Sequence, residues 1–433
     1  MVDFLLPLLA MLFVILLATV LYFRFDFMQP SVLVVGMMTV SAFMASAMAF
    51  RWKLSMGFEG FLLITLSMLA FVGGGVFARW CFDGESTPPD SHADYFFDVE
   101  GWKIFLTLVV MAILLWFNFQ TVYDLSIECG NKEGYLKMIR TLRPFVERNE
   151  LSFGRWFNYR MQIAQLVAYV FVYMFWFNAI YSSRGRLDLR YLLPPLIYLP
   201  FTLLNTGRVT MFCFVVYALT VAIILYQKKH RYNLNARLKS GGCLFGGGIG
   251  FIAIFFMMGT LTGKIISAKR TMFIILAHYI GLSIPAFGEL SDSSMAETDL
   301  IGSHTLHGVY RALQKFDPSF PSVPLFDPFV YFNGIDTNVY TIMGHYLLDY
   351  GRVGMILIMW ILGVIYSFAY QYVKHKSINI EMPVMLYGYF AYPLFMSSID
   401  ERVLMDFLST TPIYTVLLLL LYRALFFNRI ECR

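Results

Sequence analysis

The chain has 433 residues, 58% of them hydrophobic and only 14% charged, with a formal net charge of +5. That balance excludes an ordinary water-soluble globular domain, in which about a quarter of the residues are charged, and it makes lipid the main solvent. The surplus positive charge falls in short clusters at the ends of apolar runs, so it reports membrane topology and possible contact with anionic groups, and it gives no sign of nucleic-acid binding.

Apolar runs of about 17 to 20 residues, long enough to cross a hydrocarbon core as helix, recur along nearly the whole sequence. In chain order the candidate spans, 14 to 21 residues long, cover 4–23, 30–50, 60–77, 102–119, 161–181, 191–204, 209–226, 243–261, 353–373, 382–395 and 410–425. The expected fold is therefore an all-α polytopic membrane protein of about eleven transmembrane helices. A barrel would show two-residue alternation instead. The first run has no basic residue before it and no small-residue cleavage site, so it reads as a retained span. The 27 Tyr and 43 Phe residues suit interfacial belts and lipid-facing surfaces. The glycine clusters Gly73 to Gly75 and Gly246 to Gly248 sit inside spans and predict close helix packing.

Orientation is anchored on 227–239, where Lys228, Lys229, Arg231, Arg237 and Lys239 crowd a short connection that should stay in the cytoplasm. Counting outward places the N-terminus outside, the C-terminus inside, and a large polar loop with short helices, 263–352, on the outer face. The segment 121–157 also falls outside although it carries Lys132, Lys137, Arg140, Arg143, Arg148 and Arg155. Leu136, Ile139 and Leu142 are spaced three apart within it, which suits an amphipathic interfacial helix in a cationic outer loop.

The five cysteines lack CxxC or metal-ligand spacing. Few ionisable residues fall within the spans, unlike coupled transporters. Four of the seven histidines, His278, His304, His307 and His345, lie in the large loop, together with Arg270, Glu297, Arg311 and Asp349. His304, His307 and Arg311 are spaced by three and four, so a helix would put them on one face. No third metal ligand sits at a matching interval and HExxH is absent, so no metal is expected and a hydrogen-bonded histidine face is preferred. Arg208, in the polar break Asn205-Thr206-Gly207-Arg208, can anchor by snorkelling or grip a phosphate with its planar fork. Asp349 stands one turn before a span, as a helix-start carboxylate or as a base. Asp400, Glu401 and Arg402 form another outer cluster whose charges can satisfy one another.

The run Thr337-Asn338-Val339-Tyr340-Thr341, followed by Asp349-Tyr350-Gly351 and the next span, resembles the "TNVYT…DFG…G" entry to a late helix in the bacterial oligosaccharide repeat-unit polymerases, the O-antigen or capsule polymerases of Wzy type. Tyr350 stands where that triplet usually has Phe. The stretch 203–208 is similar to the family's "TGxR" turn, 302–315 to its loop helix, and 24–77 to its N-terminal region.

The resemblance implies a glycosyltransferase of the bacterial inner membrane that joins oligosaccharides carried on undecaprenyl diphosphate, on the outer face, without cofactor or metal. Implied partners are that lipid-linked donor, membrane lipids, a polysaccharide chain-length regulator and a flippase. Transfer needs the leaving diphosphate neutralised and the attacking hydroxyl brought to a base. Under this reading Arg208 and Arg311 hold the diphosphate, supported by Arg270, Arg140 and Arg143. Asp349, His304 or Glu297 acts as base, and His307, Asn338, Tyr340 and His345 line the substrate. Rival readings are a lipid-linked oligosaccharide flippase, for which paired broken helices or buried charges would be expected, an O-antigen ligase-like transferase, and a structural role.

Overall fold

In lipid an apolar run must close its backbone hydrogen bonds within itself, which leaves helix as the form open to it. In the computed structural model the chain is 78% helical with almost no sheet. The structure describes residues 3–82, 95–147, 150–181, 188–205, 207–261, 272–292, 300–321, 323, 327–377, 380–426 and 429–431. The helices are α1 (Leu5–Tyr22), α2 (Pro30–Trp52), α3 (Phe58–Cys81), α4 (Gly101–Glu128), α5 (Met138–Glu147), α6 (Gly154–Tyr181), α7 (Leu193–Leu204), α8 (Val209–Lys229) and α9 (Leu234–Leu261). They continue with α10 (Met272–Gly281), α11 (Ser283–Asp292), α12 (His307–Phe316), α13 (Gly344–His375), α14 (Glu381–Phe390), α15 (Tyr392–Met396), α16 (Leu404–Phe407) and α17 (Thr410–Phe426). Four three-residue strands, β1 (Tyr95–Phe97), β2 (Val330–Phe332), β3 (Ile335–Thr337) and β4 (Arg429–Glu431), pair antiparallel as β1 with β4 and β2 with β3.

Eight helical segments among the described residues are long and apolar enough to cross a membrane: α1, α2, α3, α4, α6, α8, Phe273–Asp292 and α13. The sequence predicted about eleven spans; the expected span 243–261 falls within α9, which is not one of the eight, and the other differences have local causes. The expected span 191–204 contains the twelve-residue α7, which starts on Pro194 and Pro195 in its first turn and carries Pro200 inside. The expected span 382–395 is divided into α14 and α15, ten and five residues long. Pro393 cannot donate the backbone hydrogen bond that would carry α14 onward. The helix α17 has 17 residues and belongs with the shorter apolar helices. Within the stretch expected to be an outer loop, α10 and α11 together form a segment of spanning length, broken at Leu282. Pro285 falls in the first turn of α11, where its missing N–H costs little.

The chain divides into two compact units. The first comprises Met1–Thr87, Lys269–His375 and Pro393–Ile413. Its centre is the pair α3 and α13, which run parallel: Glu59 pairs with Arg352 at their starts and Phe82 stacks on His375 at their ends. Small residues permit the contact. A Cβ at Gly74 would lie 2.4 Å from the Trp360 carbonyl oxygen, and one at Gly363 would lie 2.2 Å from that of Phe71. The packing predicted for Gly73 to Gly75 is thus present at the backbone level. Because backbone cannot step aside, Gly363→Leu is expected to drive α3 and α13 apart and yield no monodisperse protein on size-exclusion chromatography in detergent, whereas Gly246→Leu, with open space around it, should elute normally.

One end of this unit collects the start of α1, the end of α2 and the starts of α3 and α13. Phe4 N–H donates to the Met56 carbonyl and Asn333 N–H to that of Trp52. The β2–β3 hairpin therefore sits at the end of α2. Tyr340 packs with Ala286 and Leu290 of α11, and Val330, Phe332, Leu347 and Leu348 close around them. The opposite end holds a buried polar group in which the Tyr370 hydroxyl donates to both oxygens of Asp26 at 2.9 and 3.1 Å, and Lys374 lies 3.8 Å from the same carboxylate.

The second unit comprises Pro88–Ala268, Lys376–Tyr392 and Tyr414–Arg433. Here α6 and α8 run parallel, with Tyr169 stacked on Tyr217 at 3.9 Å between ring centres and the Tyr217 hydroxyl donating to the Tyr169 carbonyl. Asn178 caps the edge of β1 by donating to and accepting from the Phe97 backbone at 2.7 Å. The amphipathic helix expected in 121–157 is α5, which buries Met138 and Leu142, one turn apart, and leaves Arg140 exposed. Leu136 belongs to the preceding 3-10 turn, so the buried stripe is the 138 and 142 pair.

Candidate functional site

The most densely connected polar cluster among the described residues lies in the first unit, at the end where α13 begins. Its sequence parts are far apart: the 300–306 turn, Asp327, the first turns of α13 and the 400–406 segment. Gly351 joins them to the membrane helix. Its φ of +67° and ψ of −176° break α13, and a φ in that region suits glycine because it has no Cβ. The segment Gly344–Tyr350 is therefore a separate short helical piece whose side chains are aimed independently of the helix that follows.

Asp327 is the hub. One carboxylate oxygen lies 2.9 Å from His304 Nδ1 and the other 2.5 Å from His345 Nε2. Burial pushes the Asp327 carboxyl upward, but the hydrogen bonds and charges of His304 and His345 outweigh it and hold the group well below the usual carboxylate range. Asp327 is thus ionised and can only accept, so both facing ring nitrogens carry hydrogen. His345 is then left with a buried Nδ1 that has no partner among the described residues. His304 differs. Its Nε2 has no hydrogen-bond partner among the described residues, on a side chain that is 8% exposed, and an imidazole held by a carboxylate with its second nitrogen unpartnered is the arrangement of a base.

Asp349 holds the turn that presents His304. It accepts from the His304 N–H at 3.1 and 3.2 Å, from the Thr305 N–H and Thr305 hydroxyl at 2.7 Å each, and from the Ser303 hydroxyl at 3.4 Å. Since the Thr305 hydroxyl gives its proton to Asp349, the Tyr350 hydroxyl 2.9 Å away must donate to it. With its acceptor positions engaged, Asp349 fixes the backbone on which His304 stands. Tyr340 has a related role. Its hydroxyl donates to the Pro328 carbonyl at 2.5 Å and so fixes the residue after Asp327. Burial and the Asp327 charge push its phenol up to about 12, which keeps it a donor. The rest of the 337–341 run links β3 to α13, with Thr337 and Thr341 hydroxyls accepting from the backbone of Val339 and Met343.

His307 opens α12 and is half-buried. Burial, followed by the charges of Arg311 and His345, pushes its imidazole down, so the ring is neutral near neutral pH. Arg311 stands exposed one turn later. Beneath the cluster, Glu401 is fully buried and accepts from the Tyr346 hydroxyl and from the backbone N–H groups of Val403, Leu404 and Met405. Burial raises its carboxyl, opposed by His345, those backbone donors and Tyr346. Arg402 pairs with Asp400 at 2.9 Å.

No protein-family model matches the chain, and no curated protein or solved structure matches it significantly.

Of the residues singled out in the sequence, the structure brings together His304, His345, Asp349 and Tyr340, with His307 and Arg311 on the adjoining helix. Asn338 is half-buried beside them in the chain. Arg208 caps α8 in the second unit, where Arg140 and Arg143 lie on α5. Glu297 and Arg270 lie outside the described residues. Sequence reasoning missed Asp327, which sits in a proline-rich stretch with no motif. Only the need of two buried histidines for a carboxylate partner could have pointed to it.

His304, Asp327 and His345 could also be read as ligands of a metal ion, since each offers an atom within 4.8 Å of the others. Ligands about 2.1 Å from a tetrahedral ion stand roughly 3.4 Å apart, whereas each imidazole here meets its own carboxylate oxygen at 2.9 or 2.5 Å. Those are hydrogen-bond separations, so in this arrangement Asp327, the third ligand that the sequence spacing did not offer, accepts from both imidazoles.

The depressed Asp327 has a consequence for stability. A carboxyl whose folded pKa is lowered contributes stability that is fully present above its unfolded value, about 3.9, and is lost as pH falls through the folded value. Thermal unfolding in detergent is therefore expected to show wild type losing Tm more steeply than Asp327→Asn below about pH 4.

Proposed function

We propose that this protein is a glycosyltransferase that joins oligosaccharide repeat units carried on undecaprenyl diphosphate into a surface polysaccharide, on the outer face of the bacterial inner membrane, releasing undecaprenyl diphosphate. The observation that carries the reading is the His304–Asp327 dyad. It presents an unpartnered imidazole nitrogen at the end of a bundle of apolar helices, where a lipid-borne donor would place its head group, with Arg311 nearby. The resemblance of 203–208, 302–315 and 337–370 to repeat-unit polymerases supports it.

In this reading a hydroxyl of the acceptor sugar gives its proton to His304 Nε2 as its oxygen bonds to the anomeric carbon of the donor. The bond from that carbon to the diphosphate oxygen breaks, and the lipid diphosphate leaves with the electron pair. Asp327 stabilises the imidazolium that forms, and Arg311 offsets charge on the leaving group. The first unit needs no metal for this sequence of events.

The test is incubation of the purified protein with undecaprenyl-diphosphate oligosaccharide, followed by gel separation. A ladder of products spaced by one repeat unit, formed equally in EDTA, is the expected result. Substrate that only changes leaflet in proteoliposomes, without a ladder, would make the protein a flippase.

A further inference from the structure

The strand β2 carries apolar or aromatic side chains on both faces, and only one of those faces is used by the fold. Val330 and Phe332 point inward and pack around Tyr340. Phe329 and Tyr331, two residues apart and hence on the opposite face, are 50% and 76% exposed, with ring centres 6.5 Å apart and planes tilted by 35°. The platform is rigid, because the hairpin is clamped by its own ladder and by Asn333 bonding to the Trp52 carbonyl. It also starts beside the site: Tyr331 is four residues from Asp327, at most about 13 Å along an extended chain.

The chemistry of the surroundings selects the occupant. Tyr331 stands opposite Asp336 across the ladder, and Asp336 and Asn333 are exposed at the hairpin. The basic residues Arg51 and Lys53 flank the Trp52 carbonyl to which Asn333 bonds, while the chain itself carries no Lys or Arg from 317 to 351. Flat aromatic faces supply apolar area at low conformational cost, and neighbouring carboxylate and amide oxygens accept hydrogen bonds from hydroxyls. A ligand with both hydroxyl edges and apolar ring faces is a sugar chain.

We propose that Phe329 and Tyr331 form a stacking platform for carbohydrate, which holds a saccharide chain next to the His304–Asp327 dyad. The proposal rests on the glycosyltransferase reading for its role, while the binding itself can be measured without any reaction. The probe is the repeat-unit oligosaccharide released by mild acid from the producing strain's own surface polysaccharide, presented without lipid to the full-length protein in detergent. Saturation-transfer NMR is expected to show transfer to ring C–H protons, with Kd raised about tenfold or more in Tyr331→Ala and restored in Tyr331→Trp. Tyr331 is exposed, so its removal disturbs no packing.

If Tyr331→Ala and Phe329→Ala bind the oligosaccharide as tightly as wild type, the platform is overturned and the two rings are membrane anchors. That result leaves the polymerase reading standing if the ladder still forms. Conversely, loss of binding in Tyr331→Ala supports the platform even in a protein that makes no ladder.

Discussion

Replacing His304 by alanine is expected to abolish ladder formation while leaving the protein folded. The side chain sits on a turn that Asp349 fixes through backbone N–H groups, which alanine retains, so the turn should survive the substitution. What is lost is the nitrogen that receives the proton and the imidazolium that Asp327 stabilises. Removal of a general base lowers rates by about 10² to 10⁴. Asp327 then keeps only His345 as partner, and the protein should unfold a few degrees lower in detergent, a shift easily separated from the activity loss. Activity of His304→Ala within threefold of wild type would remove the dyad from the mechanism and with it the main support for a transferase.

The second large effect is expected at Asp349, and it distinguishes a positioning residue from a base. In Asp349→Asn one acceptor oxygen becomes an NH2 group that faces donors from Ser303, His304 and Thr305. Unmatched donors cost about 1 to 3 kcal/mol each when buried, less at this half-buried position, so the turn should shift and carry His304 away from Asp327. The rate of ladder formation should fall by about 100-fold, in line with the cost of misplacing a catalytic group. The shape of its pH–rate profile should be unchanged, because the proposed base, His304, is still present. Thr305→Val, which deletes only the hydroxyl shared with Asp349 and Tyr350, should show a smaller fall with the same pH profile. Loss of the wild-type profile in Asp349→Asn would instead make Asp349 the base.

Much of the architecture can be read from the chain because lipid imposes a single rule on backbone polar groups. Apolar runs such as 30–50 and 209–226 become α2 and α8 with little adjustment. The exceptions are places where proline or a polar residue competes with that rule: α7 and the α14–α15 break are shortened by prolines. The α10–α11 segment was hidden because His278, Pro285 and Glu289 give it the look of a loop, although α11 is buried against its unit along most of its length. Glu401 looked like one charge among several in an outer cluster, yet it is the buried acceptor that holds the start of α16.

The large polar stretch that follows α11 stands out in the sequence by its histidines. Composition, spacing and periodicity report what each residue is and which face of a local helix it shares, and so His304, His307 and Arg311 could be placed on one short segment. They cannot report which distant carboxylate closes around an imidazole. Asp327 meets His304 and His345 from 23 and 18 positions away, through a proline-rich stretch with no period. That meeting depends on Tyr340 fixing Pro328, on Gly351 freeing the start of α13, and on the hairpin packing against α11. The chain by itself determined a helical membrane protein with a polar, histidine-bearing segment. Only the tertiary structure decided that the segment carries a hydrogen-bonded His304–Asp327–His345 cluster, because hydrogen-bond partners are chosen by position in space.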